Sequence, residues 1–510
     1  MSLTSPASPA PIALTAANLD AIAARGVTVP GYDRSAVTAG IVHLGVGAFH
    51  RVHQAVYTDD LLAAGETDWG ICGVGVLPQD ARMAEVLRSQ DHLYTVVEKV
   101  GDEVSARVVG SIVDYLLAPE DPEAVVAKIA DPATKIVSLT ITEGGYSVNE
   151  ATGSFDPTPE VLADLAPGAT PSTAFGLVVA GLARRRENGT GPLTVLSCDN
   201  LPGNGDLAKL AFSAFAERLD PALGEWVRAE VAFPNTMVDR IAPVTTDGDR
   251  SLLRETFGVV DGWPAVCEPF RMWVIQDRFV SGRPRWEDAG ATIAEDVRPY
   301  ELMKLGLLNS SHQALAYFGH LLGHVYADQA ATDEDIAELV RRYLAEATPA
   351  IPRADGMDLE GFRDKLLPRF SNAAIGDTVA RLAAFSSDRI PQWVVPVIRT
   401  NLAAGRPVTF AAAIVASWAR YAEGVDEQGQ LIDAVDNRWQ ERHAAALAQG
   451  EDPLAFVRNT SMFGDLAERP EFTEPYVRTL ATLRERGARA ALGELLVRSS
   501  GPAPAFRTQR

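Results

Sequence analysis

The chain has 510 residues, more than one ordinary hydrophobic core supports, so two domains are expected. Hydrophobic residues make up 47% and charged residues 22%, a globular balance that excludes a disordered or membrane-embedded chain. The formal net charge of −21 argues against nucleic acid or an anionic membrane as partner, but a local field can still hold a small anionic ligand.

Residues 1–12 are rich in Ser, Pro and Ala and carry neither the basic segment nor the long apolar run of a signal peptide. No stretch of about 18 apolar residues occurs anywhere, so no membrane span is expected. A short helix is predicted over 16–24 and a turn at Pro30 and Gly31. The first strong signal follows, AGIVHLGVGAFHRVHQAVYTDDLLAAG. It reads as a strand, a turn at Gly45-Val46-Gly47, and a helix over 49–64 stopped by Gly65. Two glycines let the backbone approach a pyrophosphate at a helix N-terminus, where free N–H groups and the dipole favour an anion. The third glycine of the usual GxGxxG pattern is missing, and His50 occupies its place.

A second strand is predicted over 69–77, with Asp80 and Arg82 just beyond it. An acid there commonly bonds the ribose of NAD, and an arginine can take the extra phosphate of NADP, so NAD is expected and NADP stays open. Asp80 also reads as a helix N-cap. Strands over 94–99 and 106–109 suggest an antiparallel insertion, and 122–129 is helical. The apolar runs KIVSLTI (135–141) and LTVLSC (193–198) suit buried parallel strands, with a helix over 172–187 between them. Ligands sit beyond the C-terminal ends of such strands, which places Glu143 and Asn200 within reach of one. Asn200 also reads as a plain turn former. In VAFPNTMVDRIAP, Asp239 and Arg240 read as a structural pair. The aromatic run over 268–280 is strand-like, as if covering the sheet edge. Past about 295 helical patterns dominate, over 332–347, 375–385, 393–403, 410–423, 439–448 and 478–497. The domain boundary is placed near 285–298, giving domains 1–290, with a lead segment 1–35, and 291–510.

Three cysteines, Cys72, Cys198 and Cys267, lie far apart without a CxxC, so no disulfide framework or cysteine zinc site is indicated and a reducing cytoplasm fits. His320 and His324 stand four apart in HLLGH but lack the glutamate of HExxH, and no metal site is assigned.

One helical stretch, YELMKLGLLNSSHQALAYFGH over 300–320, is apolar around most of its circumference and should be buried. At 3.6 residues per turn Glu301, Lys304, Asn309 and His312 fall within an arc of about 140°. Burying these groups is costly unless each has a partner or a job. One reading is a surface Lys304–Glu301 pair with a satisfied core histidine. The chemical reading is a desolvated lysine acting as a base near neutrality, with Asn309 and His312 as donors to an oxygen.

Taken together these segments resemble the long-chain, zinc-independent polyol dehydrogenases of the mannitol dehydrogenase family, over residues 41–496. VAFPNTMVDRIAP resembles the family signature around Val-Asp-Arg. KLGLLNSSHQ resembles the catalytic Lys-x4-Asn-x2-His, and IVHLGVGAFHRVHQAVYTDDLL the cofactor turn GxGxFxRxHQ. TEGGY, SCDNLPGNG and RFSNAAIGDTVARLAAFSSDRIP match in order. The resemblance implies an α/β Rossmann-type N-terminal domain, a mostly α-helical C-terminal domain and an active site in the interdomain cleft. It implies NAD bound by Gly45, Gly47, Phe49, Arg51 and Asp80, without a metal. Lys304 would be the general base, Asn200 and Asn309 would hold the developing alkoxide, and Glu301 would relay the proton to water. His312, Asp239, Arg381, Arg389 and Glu143 would complete the catalytic and substrate contacts. Arg389 stands where the family often has lysine, and its fixed fork could alter substrate preference.

The implied activity is the interconversion of D-mannitol and D-fructose, with D-arabinitol and D-sorbitol as further substrates. A sister activity, reduction of a keto-uronate such as fructuronate or tagaturonate, stays open because Arg381 and Arg389 could bind a carboxylate. A non-catalytic sugar or nucleotide sensor is the reading from another class. The expected partners are a small polyol or ketose, with no nucleic acid or membrane, and the chain is expected to be a monomer or weak oligomer.

Overall fold

A computed structural model of the chain describes residues 10–149 and 153–498. The backbone divides after Arg298 into two compact units.

Five parallel strands organise the first unit: β1 (Ile41–Leu44), β2 (Ile71–Gly75), β3 (Ile112–Leu117), β4 (Ile136–Leu139) and β5 (Thr194–Ser197). Their order is β3-β2-β1-β4-β5, so the winding reverses between β1 and β4, which is the nucleotide-binding arrangement. Ile41 of β1 sits in register with Ile71 of β2 and Ile136 of β4. Every residue of β1, β2, β4 and β5 is buried. On one face Val42, Leu44, Val74 and Val137 pack against helices Pro122–Ala130, Ala174–Glu187 and Asn204–Leu219. On the other, Ile41, Ile71, Ile136 and Leu196 pack against helices Gln54–Ala63 and Ala81–Ser89 and the Trp273 and Trp286 rings. Two covered faces explain why these strands read as unbroken apolar runs. Each such side chain contributes about 1.5–3 kcal/mol by leaving water.

The expected antiparallel insertion is present as Tyr94–Val100 paired with Glu103–Val109, with Ala265–Cys267 alongside in parallel. The run over 268–280 ends against the edge of the main sheet, where Val280 N–H donates to Thr194 Oγ1 of β5 at 3.3 Å. Its strand Met272–Gln276 forms a separate sheet between Thr236–Asp239 and Thr292–Ala294. The helix expected over 49–64 is two, Ala48–Val52 and Gln54–Ala63, broken at His53. Tertiary bonds account for the break. The Val52 carbonyl accepts from Arg240 at 2.5 Å, and His53 Nε2 bonds the Met272 carbonyl at 3.0 Å.

Among the described residues the second unit contains helical elements only. The helix over 332–347 starts at Glu334, where the Asp333 side chain caps Asp335 and Ile336 N–H. The one expected over 375–385 shrinks to Val379–Ala383, and Phe385 then takes a left-handed conformation, φ +56. The next runs back to Ser386 through Pro391 and Pro396. Thr409–Tyr421 is buried on nearly every side. The last expected helix starts earlier, at Pro470, and reaches Arg498 with a kink at Gly487. No described helix is long and apolar enough to cross a membrane. The three cysteines are buried and unpaired.

Candidate active site

The glycine turn follows β1. Gly45 has φ +93, and a Cβ there would lie 2.2 Å from the Thr140 carbonyl oxygen, so only glycine fits. Gly47 N–H closes the turn onto the Gly45 carbonyl at 2.7 Å, and helix Ala48–Val52 starts at once. Its N-cap is Gly47, which has no side chain to cap the first N–H groups of the helix. Gly47 is exposed, and a Cβ there would meet nothing nearer than 3.9 Å. The turn opens on a cleft of about 900 Å³ lined by Gly45, Gly47, Leu77, Asp80, Thr140 and Ser172 among others. That volume holds a cofactor-sized ligand.

Asp80 Oδ2 accepts from Val76 and Leu77 N–H, both at 2.9 Å, which fixes the carboxylate at the end of β2. It does not cap helix Ala81–Ser89. Arg82 instead lies over the Trp263 ring at 5.1 Å and is not part of the cleft lining. An open glycine cradle, a helix N-terminus and an acid past β2 fit a dinucleotide with a free ribose hydroxyl.

Two residues expected at the cofactor sit elsewhere. Arg51 is buried, donates to the Trp263 carbonyl at 2.5 Å and lies over the Tyr94 ring, whose hydroxyl donates to the Arg51 carbonyl at 2.7 Å. Burial lowers the pKa of its guanidinium below the usual value. These contacts brace the helix against its neighbours. Phe49 is half-buried, stacks on His53 at 4.8 Å and lies outside the cleft lining.

Beyond β4 and β5 the structure adds a residue that the sequence reading missed. Buried Asp199 accepts from Ile141 N–H at 3.1 Å, Thr142 N–H at 2.8 Å and the Tyr146 hydroxyl at 2.7 Å. It thereby holds Thr142, a non-glycine residue at φ +65 and ψ 169 that lines the cleft. Such strain persists only where surroundings over-determine it. Burial, with Asp199 beside it, pushes the Tyr146 hydroxyl well above its usual pKa. Glu143 begins the short turn Glu143–Tyr146, and its side chain lies outside the described residues. Asn200, next after Asp199, is exposed at the end of β5. The available signal was an acid at a strand end, in SCDN.

Asp239 is buried at the end of strand Thr236–Asp239. Arg240 bonds Glu98 at 2.5 Å and the Glu268 carbonyl at 2.9 Å, besides Val52, so its ion pair is with Glu98 and serves to tie strands together.

In the second unit the candidate residues lie on an irregular helix. Arg298–Met303 is α-helical, Lys304–Asn309 is a π-turn, and Ser310–Leu321 is α-helical again. The expectation of one regular helix over 300–320 is corrected at the π-turn. A π-turn bonds residue i to i+5 and is frequent at functional sites. On a regular helix Lys304 and Asn309 would be about 140° apart; the wider turn stacks them on one side. Both are buried. Ser310 Oγ donates to the Leu305 carbonyl at 2.8 Å, and the Tyr343 hydroxyl donates to the Gly306 carbonyl at 2.9 Å. A Cβ at Gly306 would lie 2.6 Å from the Cδ1 tip of Ile351, which would have to shift to admit it.

Glu301, half-buried, precedes Lys304, and His312 packs on the Phe370 ring at 4.7 Å. Arg389 Nη1 and Gln313 Nε2 share the Leu382 carbonyl, at 3.0 and 3.1 Å, which ties the helix of Arg389 to the helix of His312. Arg389 also lies over the Trp393 ring at 5.2 Å. Arg381 is exposed and held by a bidentate bond to Asp377, which raises its pKa. Among the described residues no group of three or more His, Cys, Asp or Glu is placed to hold a metal ion.

A parallel sheet in nucleotide-binding order, a glycine turn on a cofactor-sized cleft and an acid after β2 define a dinucleotide-binding protein with a separate helical unit. The mannitol dehydrogenase Rossmann domain matches residues 39–288 and the mannitol dehydrogenase C-terminal domain matches residues 296–484. The chain belongs to the mannitol dehydrogenase family. A mannitol 2-dehydrogenase of Phaeosphaeria nodorum is 42% identical over 95% of this chain and 86% of its own length. The structure of Pseudomonas fluorescens mannitol 2-dehydrogenase in a ternary complex with NAD and D-mannitol superposes with TM-score 0.81 at 41% identity, covering 95% of this chain and all of that one. A substrate-free D-sorbitol dehydrogenase gives TM-score 0.85 at 36% identity, covering 91% and 97%.

Proposed function

We propose that the protein is an NAD-dependent, metal-free polyol 2-dehydrogenase that interconverts D-mannitol and D-fructose, with D-arabinitol and D-sorbitol as slower substrates. The observation that carries it is the π-turn, which buries Lys304 and Asn309 on one side of a helix, in a family whose relatives are mannitol 2-dehydrogenases. Hydride leaves an alcohol carbon readily only if negative charge builds on its oxygen, so a base and donors must meet that oxygen. Lys304 takes the hydroxyl proton, Asn309 and Asn200 donate to the oxygen, and Glu301 passes the proton on to water. His312, Asp239, Arg389, Arg381 and Glu143 orient the remaining hydroxyls. NAD, held by the glycine turn and Asp80, supplies the hydride acceptor. The Arg82–Trp263 contact supports NAD over NADP, because the arginine is already occupied away from the cleft. The enzyme works in a reducing cytoplasm as a monomer or weak oligomer.

Reduction of a keto-uronate is disfavoured because the Arg381 fork is already filled by Asp377, leaving less positive charge for a carboxylate. Fructose and fructuronate assayed side by side with NADH test the assignment. The proposal expects fructose to be reduced with the higher kcat/KM. Faster reduction of fructuronate, or no turnover of any ketose, would overturn it.

A further inference from the structure

A run of buried polar side chains lies behind the glycine turn, where nothing in the reaction uses it. His43 of β1 has Nδ1 2.8 Å from Ser138 Oγ. Its Nε2 is 3.0 Å from Thr140 Oγ1 and 3.2 Å from the Gly45 carbonyl. Thr140 Oγ1 donates to that same carbonyl at 2.6 Å, and Ser138 Oγ lies 2.9 Å from Gln54 Oε1, to which it donates as the amide stands. The His50 ring stacks on His43 with centroids 3.4 Å apart and planes 9° from parallel, and both its ring nitrogens are buried without a partner.

The end of the chain sets its polarity. The Gly45 carbonyl can only accept, and the Thr140 hydroxyl places its proton there. His43 Nε2 can then approach both oxygens only as an N–H donor. Nδ1 is left as the acceptor and takes the Ser138 proton. With its proton on Nδ1, Ser138 no longer has one for Gln54 Oε1, and turning the Gln54 amide by 180° puts its nitrogen, otherwise unpartnered, against Ser138 as the donor in place of that oxygen. Every donor then points toward Gly45. The scheme needs a neutral imidazole, and burial pushes His43 down to about 3.

We propose that His43 is a positioning residue for the dinucleotide: Gln54, Ser138, His43 and Thr140 form a one-way donor chain that presets the Gly45 carbonyl and so the N–H groups of the following helix. His50 is its buttress. In the usual pattern a third glycine lets helix and strand pack closely. Here an imidazole fills that place and pins the His43 ring in plane. The inference rests on the nucleotide-binding reading of the cleft.

The test is NADH titration of the full-length protein, with steady-state kinetics, for His43→Leu, Thr140→Val and Thr140→Ser. His43→Leu and Thr140→Val should each weaken NADH binding and raise KM for NAD about tenfold while kcat changes far less, and Thr140→Ser should recover most of the affinity lost in Thr140→Val. Folded variants that bind NADH like wild type, or that lose kcat with unchanged KM for NAD, would overturn the inference. Nitrogen NMR of the wild type adds an arm that does not depend on any variant folding. His43 should carry its proton on Nε2, and an Nδ1–H tautomer would overturn the donor order. Wild-type protein that binds no NADH would instead sink the nucleotide-binding reading itself.

Discussion

The glycine turn of the first unit and the lysine helix of the second depart from regularity in opposite ways. At the turn the sequence is irregular, with His50 where a glycine is usual, yet the strand and turn keep their normal course and the helix starts at once, breaking only later at His53. At the lysine helix the sequence looks regular, and the backbone departs from it over Lys304–Asn309. In the first case side chains substitute for backbone freedom: two stacked imidazoles fill a gap that close packing would otherwise remove. In the second the backbone gives up an α-turn so that two side chains share one side. A nucleotide site needs a fixed cradle, and proton chemistry needs convergent polar groups away from water. The proposed function assigns the first need to the turn and the second to the lysine helix.

The sharpest way to break this comparison is at the lysine. Lys304→Ala should lower turnover by about 10²–10⁴-fold, the usual worth of a positioned base, while NADH binding is unchanged. Turnover near wild type would remove Lys304 from the chemistry. Next is the brace behind the cleft. Asp199→Ala leaves the Ile141 and Thr142 N–H groups without their acceptor, while the Tyr146 hydroxyl keeps Ser197 Oγ at 2.6 Å. Each orphan costs about 1–3 kcal/mol, so urea unfolding should show a loss of several kcal/mol. An unchanged midpoint would mean that the Thr142 turn stands without the carboxylate.

A third test is acid. His43 and His53 are pushed down to about 3, and His50 well below its usual value, all by burial. The fold therefore binds fewer protons than the unfolded chain below the ordinary histidine pKa of about 6.5. Stability from these groups is complete above that pH and falls as pH drops toward their folded values, by about 1.4 kcal/mol per pH unit for each histidine. Unfolding free energies at pH 7 and pH 5 should differ accordingly, and a flat profile would show that these rings are not buried neutral. The smallest effect concerns the π-turn itself. Tyr343→Phe removes the hydroxyl donor to Gly306 and should cost about 1 kcal/mol. The same variant should lower kcat more than it raises KM for NAD. The reverse split would detach the π-turn from the proton chemistry.

Much of the fold was legible in the sequence. The runs around β1, β4 and β5 are unbroken because both faces are covered, and Gly65 marks a helix end by known chemistry. β3 was harder to see because Asp114 interrupts its apolar run, and the strand is fixed by pairing with β2. The helix expected over 393–403 begins after Pro391, yet helix Ser386–Ala403 runs through Pro391 as well as Pro396. At the site, Lys304, Asn309 and Asp80 could be named from spacing and from their place after strands and turns. Asp199 and the His43 chain could not, because their roles depend on hydrogen bonds between residues 40–100 positions apart. The packing of Arg51 on Tyr94 was hidden for a related reason, because spacing does not reveal such a contact.

The most direct measurement is the yield of NADH and fructose from D-mannitol and NAD with EDTA present throughout. Equal amounts of the two products, at a rate that EDTA leaves unchanged, are the predicted result. No NADH from mannitol, arabinitol or sorbitol, or activity lost to EDTA and restored by zinc, would contradict it.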